Sequence, residues 1–285
     1  MTATLIDGVA IAGQIYGQLK LRAVALRERG VRPGLAAIMI GNNPASEVYL
    51  RNKTRACSEV GVHSELHRFG AACAESEVLE LIHRLNADAS IHGILVQLPL
   101  PLQFDTDRIL HAVDAAKDVD GFSWQNLGAL VAGQPQLCPC TPLGVMAMLD
   151  SVGLALDGIH AVVIGRSVTV GKPMALMLIA RGATVTVCNS KTRNLQGHTS
   201  RADLVVVAVG KPGVVNGSML KPGAVVIDVG INRLPDGKLA GDVDFASASQ
   251  VASRITPVPG GVGRMTVAML IANTVTAAEG AVATG

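Results

Sequence analysis

Three polar groupings in the first half of the chain have residue types and spacing that could do chemistry. After Gly41-Asn42-Asn43-Pro44-Ala45, the residues Ser46, Tyr49 and Lys53 follow at i, i+3 and i+7, which puts all three on one face of a helix. Lys53 there is either a proton-handling amine or one more lysine decorating a surface. In GILVQLPLP, Gln97 closes an apolar strand that Pro99 and Pro101 stop. Polar groups at the carboxyl end of α/β strands lie where ligands bind, although Gln97 could also simply cap exposed backbone. Lys117-Asp118-Val119-Asp120-Gly121-Phe122 places two carboxylates in a turn, and Asp-Gly is ordinary turn chemistry in its own right.

A fourth grouping lies in the second half. The strand-like run AVVIG leads into Gly165-Arg166-Ser167-Val168-Thr169-Val170-Gly171-Lys172-Pro173, and a helical stretch, MALMLIA, follows. Glycines at a strand-to-helix turn let backbone approach a pyrophosphate at the helix N-terminus. The spacing is GxSxxxG and not GxGxxG, so glycine needed for turning alone is the competing explanation. At the end of the next strand, NAD sites carry an acidic residue roughly 20 residues on, which holds the ribose 2′-hydroxyl. This chain has Asn189-Ser190-Lys191-Thr192-Arg193 and no carboxylate. Ser190, with the charges of Lys191, Arg193 and Arg166, favours a 2′-phosphate, and so NADP over NAD. Lys191 and Arg193 could equally be solvated loop residues.

These groups need a scaffold, and the composition indicates which. The chain has 285 residues, of which 49% are hydrophobic and 16% charged, enough for a sizeable core and against wholesale disorder. Four Phe, two Tyr and one Trp stand against 31 Gly, so the core must be aliphatic, as in close layers of helix on parallel sheet. Few rings also argue against a single-strand nucleic-acid platform, and a net charge of +2 argues against a polyanion partner. No apolar run reaches the roughly 18 to 20 residues of a membrane span, and no signal peptide is evident. Five Cys without a CxxC pair, and His63 and His67 on a half-exposed strand pattern, predict no metal site and reduced thiols in the cytoplasm.

Aliphatic runs alternate with helical stretches throughout, the mark of an α/β fold. Helix is predicted over 8–30, after Pro44, over 75–88, from about 142, and over about 265–280. Strand is predicted over 35–40, 62–68, 93–96, 161–165, 183–188, 204–210 and 224–230. Two such series predict a two-lobed protein. Residues 1–145 form an α/β catalytic lobe, 146–264 form a Rossmann-like lobe with a parallel sheet, and a C-terminal helix, 265–285, packs back on the first. A cleft between lobes is a usual place for a small-molecule site.

Taken in order, GNNPASEVYLRNK, GILVQLPLP, KDVDGF, PCTPLG, VVIGRSVTVGKPMA, VAVGKPG, VIDVGIN, GDVDF and TPVPGGVG resemble the NADP-dependent bifunctional methylenetetrahydrofolate dehydrogenase/cyclohydrolase family across nearly the whole chain. The resemblance implies oxidation of 5,10-methylenetetrahydrofolate with NADP, then hydrolysis to 10-formyltetrahydrofolate. It makes Lys53 the proton carrier, Gln97 its hydrogen-bonding partner, Tyr49 the ring lying on the folate, and Asp120 the carboxylate gripping the pteridine. It assigns Gly165, Arg166, Ser167, Ser190 and Ile231 to NADP, and it implies a homodimer acting on a folate. Three residues depart from the family's usual pattern: Asn189 for His, Arg264 for Pro in PGGVGRMT, and Trp124 for Pro in GFSWQN. The alternatives are a dehydrogenase with weak or absent cyclohydrolase, and a paralogue that binds folate or NADP without catalysis. Measurable turnover separates the last from the others.

Overall fold

The computed structural model describes residues 2–284. In chain order the first elements are β1 (Thr4–Leu5), α1 (Gly8–Glu28), β2 (Gly34–Ile40), α2 (Pro44–Val60), β3 (His63–Phe69), α3 (Glu75–Ala87) and β4 (Gly93–Val96). Next come α4 (Thr106–His111), α5 (Trp124–Val131), α6 (Cys140–Ser151), β5 (His160–Ile164), α7 (Gly171–Ala180), β6 (Thr184–Cys188), α8 (Leu195–Thr199) and β7 (Leu204–Val207). The chain ends with β8 (Val225–Asp228), β9 (Asn232–Arg233), β10 (Leu239–Ala240), α9 (Phe245–Ala248), β11 (Arg254–Ile255) and α10 (Val262–Thr284). Two compact units result. One joins the chain up to Gly13 with Thr141–Thr266, and the other joins Gln14–Cys140 with the chain from Val267 onward.

In the first of these, six parallel strands pair in the order β1-β11-β8-β7-β5-β6. The central strands LVVV and VVID are buried along their whole length, as parallel strands covered on both faces must be. One layer of their core packs Val162, Ile164, Val205, Val207 and Val226 against Ala202, Leu220, Ala248 and Ile255. After β5 the chain goes to β6 on one side and then returns to β7 on the other. The carboxyl ends of β5 and β7 therefore flank a topological switch point, where α/β sheets bind ligands.

The sequence reading placed residues 1–145 in the catalytic lobe, but the N-terminal strand joins this six-stranded sheet instead. Thr4 N donates to Ser253 O at 2.9 Å and Ile6 N to Ile255 O at 2.9 Å, both from the far end of the chain. Two residues cannot display an alternation, so nothing local announced the pairing.

The other unit carries a three-stranded parallel sheet in the order β3-β2-β4. The middle strand, GLAAIMI, is buried throughout, whereas β3 is an edge strand with no fully buried residue. Ile38, Ile94 and Val96 meet Ile82, Leu85 and Ile109 in its core. α10 closes this unit through an apolar face, and Glu279 accepts from Arg22 of α1 at 2.9 Å and 2.6 Å. By length and composition α10 could cross a membrane, yet 56% of its apolar stretch is buried in the fold, as a core helix requires.

Candidate active site

Within the three-stranded unit, α2 and β4 bring the first two groups together. β4 holds Gln97 by its backbone, since Gln97 N donates to Ile38 O at 2.9 Å. Lys53 Nζ donates to Gln97 Oε1 at 3.0 Å. Gln97 Nε2 donates to Leu98 O at 2.7 Å, which turns the amide oxygen toward the amine. Lys53 is buried, at 9% exposure, an unusual position for lysine and the opposite of a surface decoration. Ser46 is buried on the same helix, and Tyr49 is half-buried, with its hydroxyl pushed up by desolvation.

Asp120 completes the group. Burial pushes its carboxyl up to about 6; the nearby charge of Lys53 opposes this, and Asp118 reinforces it. A carboxyl poised there, beside an amine, is the kind of perturbation that marks functional sites.

The two aspartates of KDVDG divide their duties, which the sequence reading did not foresee. Asp118 is buried and accepts from Gly121 N at 3.0 Å, Ser123 N at 2.7 Å and Asn126 Nδ2 at 3.0 Å. It ties the turn while Asp120 is left to face Lys53. Gly121 has φ +72°, and a side chain there would start 2.4 Å from the Cys138 backbone. From α10, Asn273 Nδ2 donates to Val119 O and Cys138 O, both at 2.8 Å. Cys140 Sγ donates to Val119 O at 3.1 Å. Asn273 also went unremarked in the sequence, because an asparagine amid an apolar helix carries no motif.

The nucleotide candidates lie at the carboxyl ends of strands in the six-stranded unit. Gly165 follows β5 with φ +129°, and a Cβ there would stand 2.3 Å from Ala208 O, so only glycine permits this approach. Ser167 Oγ accepts from Val170 N at 3.1 Å and Gly171 N at 3.4 Å, closing the turn that opens α7. Arg166 and Ser167 are exposed, as are Ser190, Lys191 and Arg193 after β6. Asn189 Oδ1 accepts from Lys191 N at 2.9 Å, and Thr192 Oγ1 accepts from Asn189 N at 2.8 Å. Asn189 thus folds the turn that presents Ser190. Ile231, past the end of β8, is 43% exposed. A glycine-lined turn, a helix N-terminus, Arg166 after β5, and Lys191 and Arg193 on a β6 turn without a carboxylate fit a phosphorylated dinucleotide. Arg264 is exposed in the first turn of α10, and Trp124 lies against the His111 ring at 4.2 Å.

Known proteins resemble the chain in both regions. The catalytic-domain model of the tetrahydrofolate dehydrogenase/cyclohydrolase family matches residues 6–120, and its NAD(P)-binding-domain model matches residues 139–282. The chain belongs to the tetrahydrofolate dehydrogenase/cyclohydrolase family. Lys53, Gln97 and Asp120 fall within the family's catalytic match, and Gly165, Ser190 and Ile231 within its NAD(P)-binding match. The bifunctional protein FolD of Dechloromonas aromatica is 60% identical over 279 residues, 98% of each chain. The solved structure of the bifunctional FolD enzyme of Campylobacter jejuni has a TM-score of 0.96 at 48% identity and covers 98% of this chain and 99% of its own. FolD of Trypanosoma brucei, solved with NADP cofactor and inhibitor, has a TM-score of 0.95 at 37% identity, covering 99% of both chains.

Proposed function

We propose that the protein oxidises 5,10-methylenetetrahydrofolate to the methenyl form with NADP and hydrolyses that product to 10-formyltetrahydrofolate. The observation that carries the reading is the buried Lys53 amine, held on Gln97 and facing Asp120, inside a chain that matches the family over both of its domains. Gly165, Arg166, Ser167, Ser190 and Ile231 would hold NADP, which when bound supplies the hydride acceptor. In the oxidation, the C–H bond of the methylene carbon breaks and its electron pair leaves as hydride, so the folate becomes a methenyl cation. Tyr49 lies against the folate and Asp120 grips the pteridine ring, which fixes that carbon in place. In the hydrolysis, water adds to the cationic carbon and one ring C–N bond breaks. Lys53 relays one proton of the water to the departing nitrogen, the other is released to solvent as the formyl C=O forms, and Gln97 keeps the amine aimed.

The same reading gives a homodimer of the cytoplasm. The exposed edge strand β6 offers a two-fold pairing surface, and all five cysteines are free, as thiols are in a reducing compartment. An absorbance assay of nicotinamide reduction with 5,10-methylenetetrahydrofolate and NADP, repeated with NAD, tests the function. NADP should be reduced, with 10-formyltetrahydrofolate appearing downstream. No reduction with either nucleotide would overturn the reading, and methenyl product accumulating without hydrolysis would leave a dehydrogenase alone.

A further inference from the structure

Asp242 is fully buried in the six-stranded unit, yet no step above uses it. Its Oδ2 accepts from Val209 N at 2.7 Å and Gly210 N at 2.9 Å. Its Oδ1 accepts from Lys211 N at 2.9 Å and Asn232 Nδ2 at 2.9 Å. Three successive amides and one side-chain amide thus converge on one carboxylate, a concentration of donors that would otherwise cradle an external anion. The three amides belong to the loop after β7, and Asn232 follows Ile231 after β8. Asp242 itself is held from below, because Asp228 Oδ1 accepts from Asp242 N and Asp228 Oδ2 from Val243 N, each at 2.9 Å. The loop after β7 is one lip of the β5/β7 switch-point crevice, with Ala208 packed on Gly165 of the other lip.

We propose that Asp242 is a positioning residue for the dinucleotide. It clamps the 209–211 loop and the Ile231–Asn232 segment into a single preformed lip against which NADP lies. The inference rests on the NADP reading above. A carboxylate saturated by four internal donors has no lone pair left for a ligand, so its effect reaches the cofactor through the backbone that it fixes. Asp242→Asn replaces one acceptor oxygen by a donor that faces donors, and so opens the clamp. Asn232→Ala removes the strut between the clamp and Ile231, together with a longer bond from Asn232 Nδ2 to Ala240 O at 3.4 Å.

The test is steady-state kinetics of both activities on the full-length protein, with NADPH binding followed by fluorescence. Both variants should raise the KM for NADP roughly ten- to a hundredfold and weaken NADPH binding in step. The KM for 5,10-methylenetetrahydrofolate should stay within about twofold. Hydrolysis of methenyltetrahydrofolate, assayed without nucleotide, should keep its wild-type rate. A folded variant with wild-type KM for NADP would overturn the proposal, as would dehydrogenase and cyclohydrolase falling in proportion. Should Asp242→Asn fail to fold, Asn232→Ala decides by the same readouts. A wild-type protein that hydrolyses methenyltetrahydrofolate but neither binds nor reduces NADP would overturn the underlying reading instead.

Discussion

In the function proposed above Lys53 moves a proton, and two neighbours bear on its amine: Gln97 accepts its hydrogen bond and Asp120 supplies an opposing charge. Lys53→Met keeps the stem and removes the amine. It should lower the cyclohydrolase rate by about 10² to 10⁴, the range of a positioned acid–base group, while NADPH binding measured by fluorescence stays at wild type. Full hydrolysis by the variant would remove Lys53 from the mechanism. Asp120 makes a second prediction, about pH. Its carboxyl is pushed up to about 6, chiefly by burial, whereas an unfolded aspartate titrates near 3.9. Between those values the native state keeps a proton that the unfolded chain has released. The stability contributed by this group is therefore full below pH about 4 and is lost as the pH rises through about 6. Asp120→Asn stays neutral at every pH. By urea unfolding it should exceed wild type by about 2 to 3 kcal/mol at pH 8, with the gap closing by pH about 4. A gap independent of pH would contradict that sign.

At the scale of elements, the KDVDG turn is held by a helix distant in sequence. Asn273 of α10 donates to two of its neighbouring carbonyls. Asn273→Ala takes that donor from both acceptors, leaving Val119 O only the weak Cys140 thiol and Cys138 O half-buried, and should cost about 1 to 3 kcal/mol in urea melts. The KM for the folate should rise and that for NADP should not; equal effects on both would mean that the turn is not what Asn273 holds. The long elements were legible because their pattern is local: LAAIMI read as a strand and α1 and α3 as helices close to their observed ends, α2 as a helix after Pro44, and LVVVAVG as a strand that in fact stops at Val207. The short strands β1, β9, β10 and β11 were not, since each has two residues and exists only through its partner. The same distinction divides the site. Lys53 and Tyr49 share a helix face that spacing alone predicts. The union of Lys53 with Gln97 needed the fold or the resemblance, and the clamps made by Asp118, Asp242 and Asn273 are tertiary hydrogen bonds that no spacing encodes.

For the whole molecule, neither unit is a contiguous piece of chain. The six-stranded unit takes its first strand from the segment before Gly13, and the three-stranded unit takes its closing helix from the segment after Val267. A chain ending at Thr266 therefore lacks the buried Leu270, Ile271, Asn273, Thr274 and Val275. That truncation should abolish turnover of either folate substrate while NADPH binding remains measurable by fluorescence, because the strands and loops of the nucleotide side are all present. Loss of NADPH binding as well would show that the six-stranded unit depends on the missing helix. The lobe boundary was only partly legible for the same reason: a second α/β series suggested a division near residue 145, against the observed one after Cys140, but exchange of terminal segments leaves no trace in that pattern.

The pairing of β1 with β11 also sets an order on synthesis. Thr4 and Leu5 leave the ribosome well before their partners Arg254 and Ile255, which lie far along the chain. From the synthesis of β8 until that of β11, β8 presents its backbone amides and carbonyls along an open edge, next to apolar side chains that β11 will later cover. A nascent chain stalled between β8 and β11 is thus not half an enzyme but an adhesive edge, and it is the stage at which a chaperone would have most to protect.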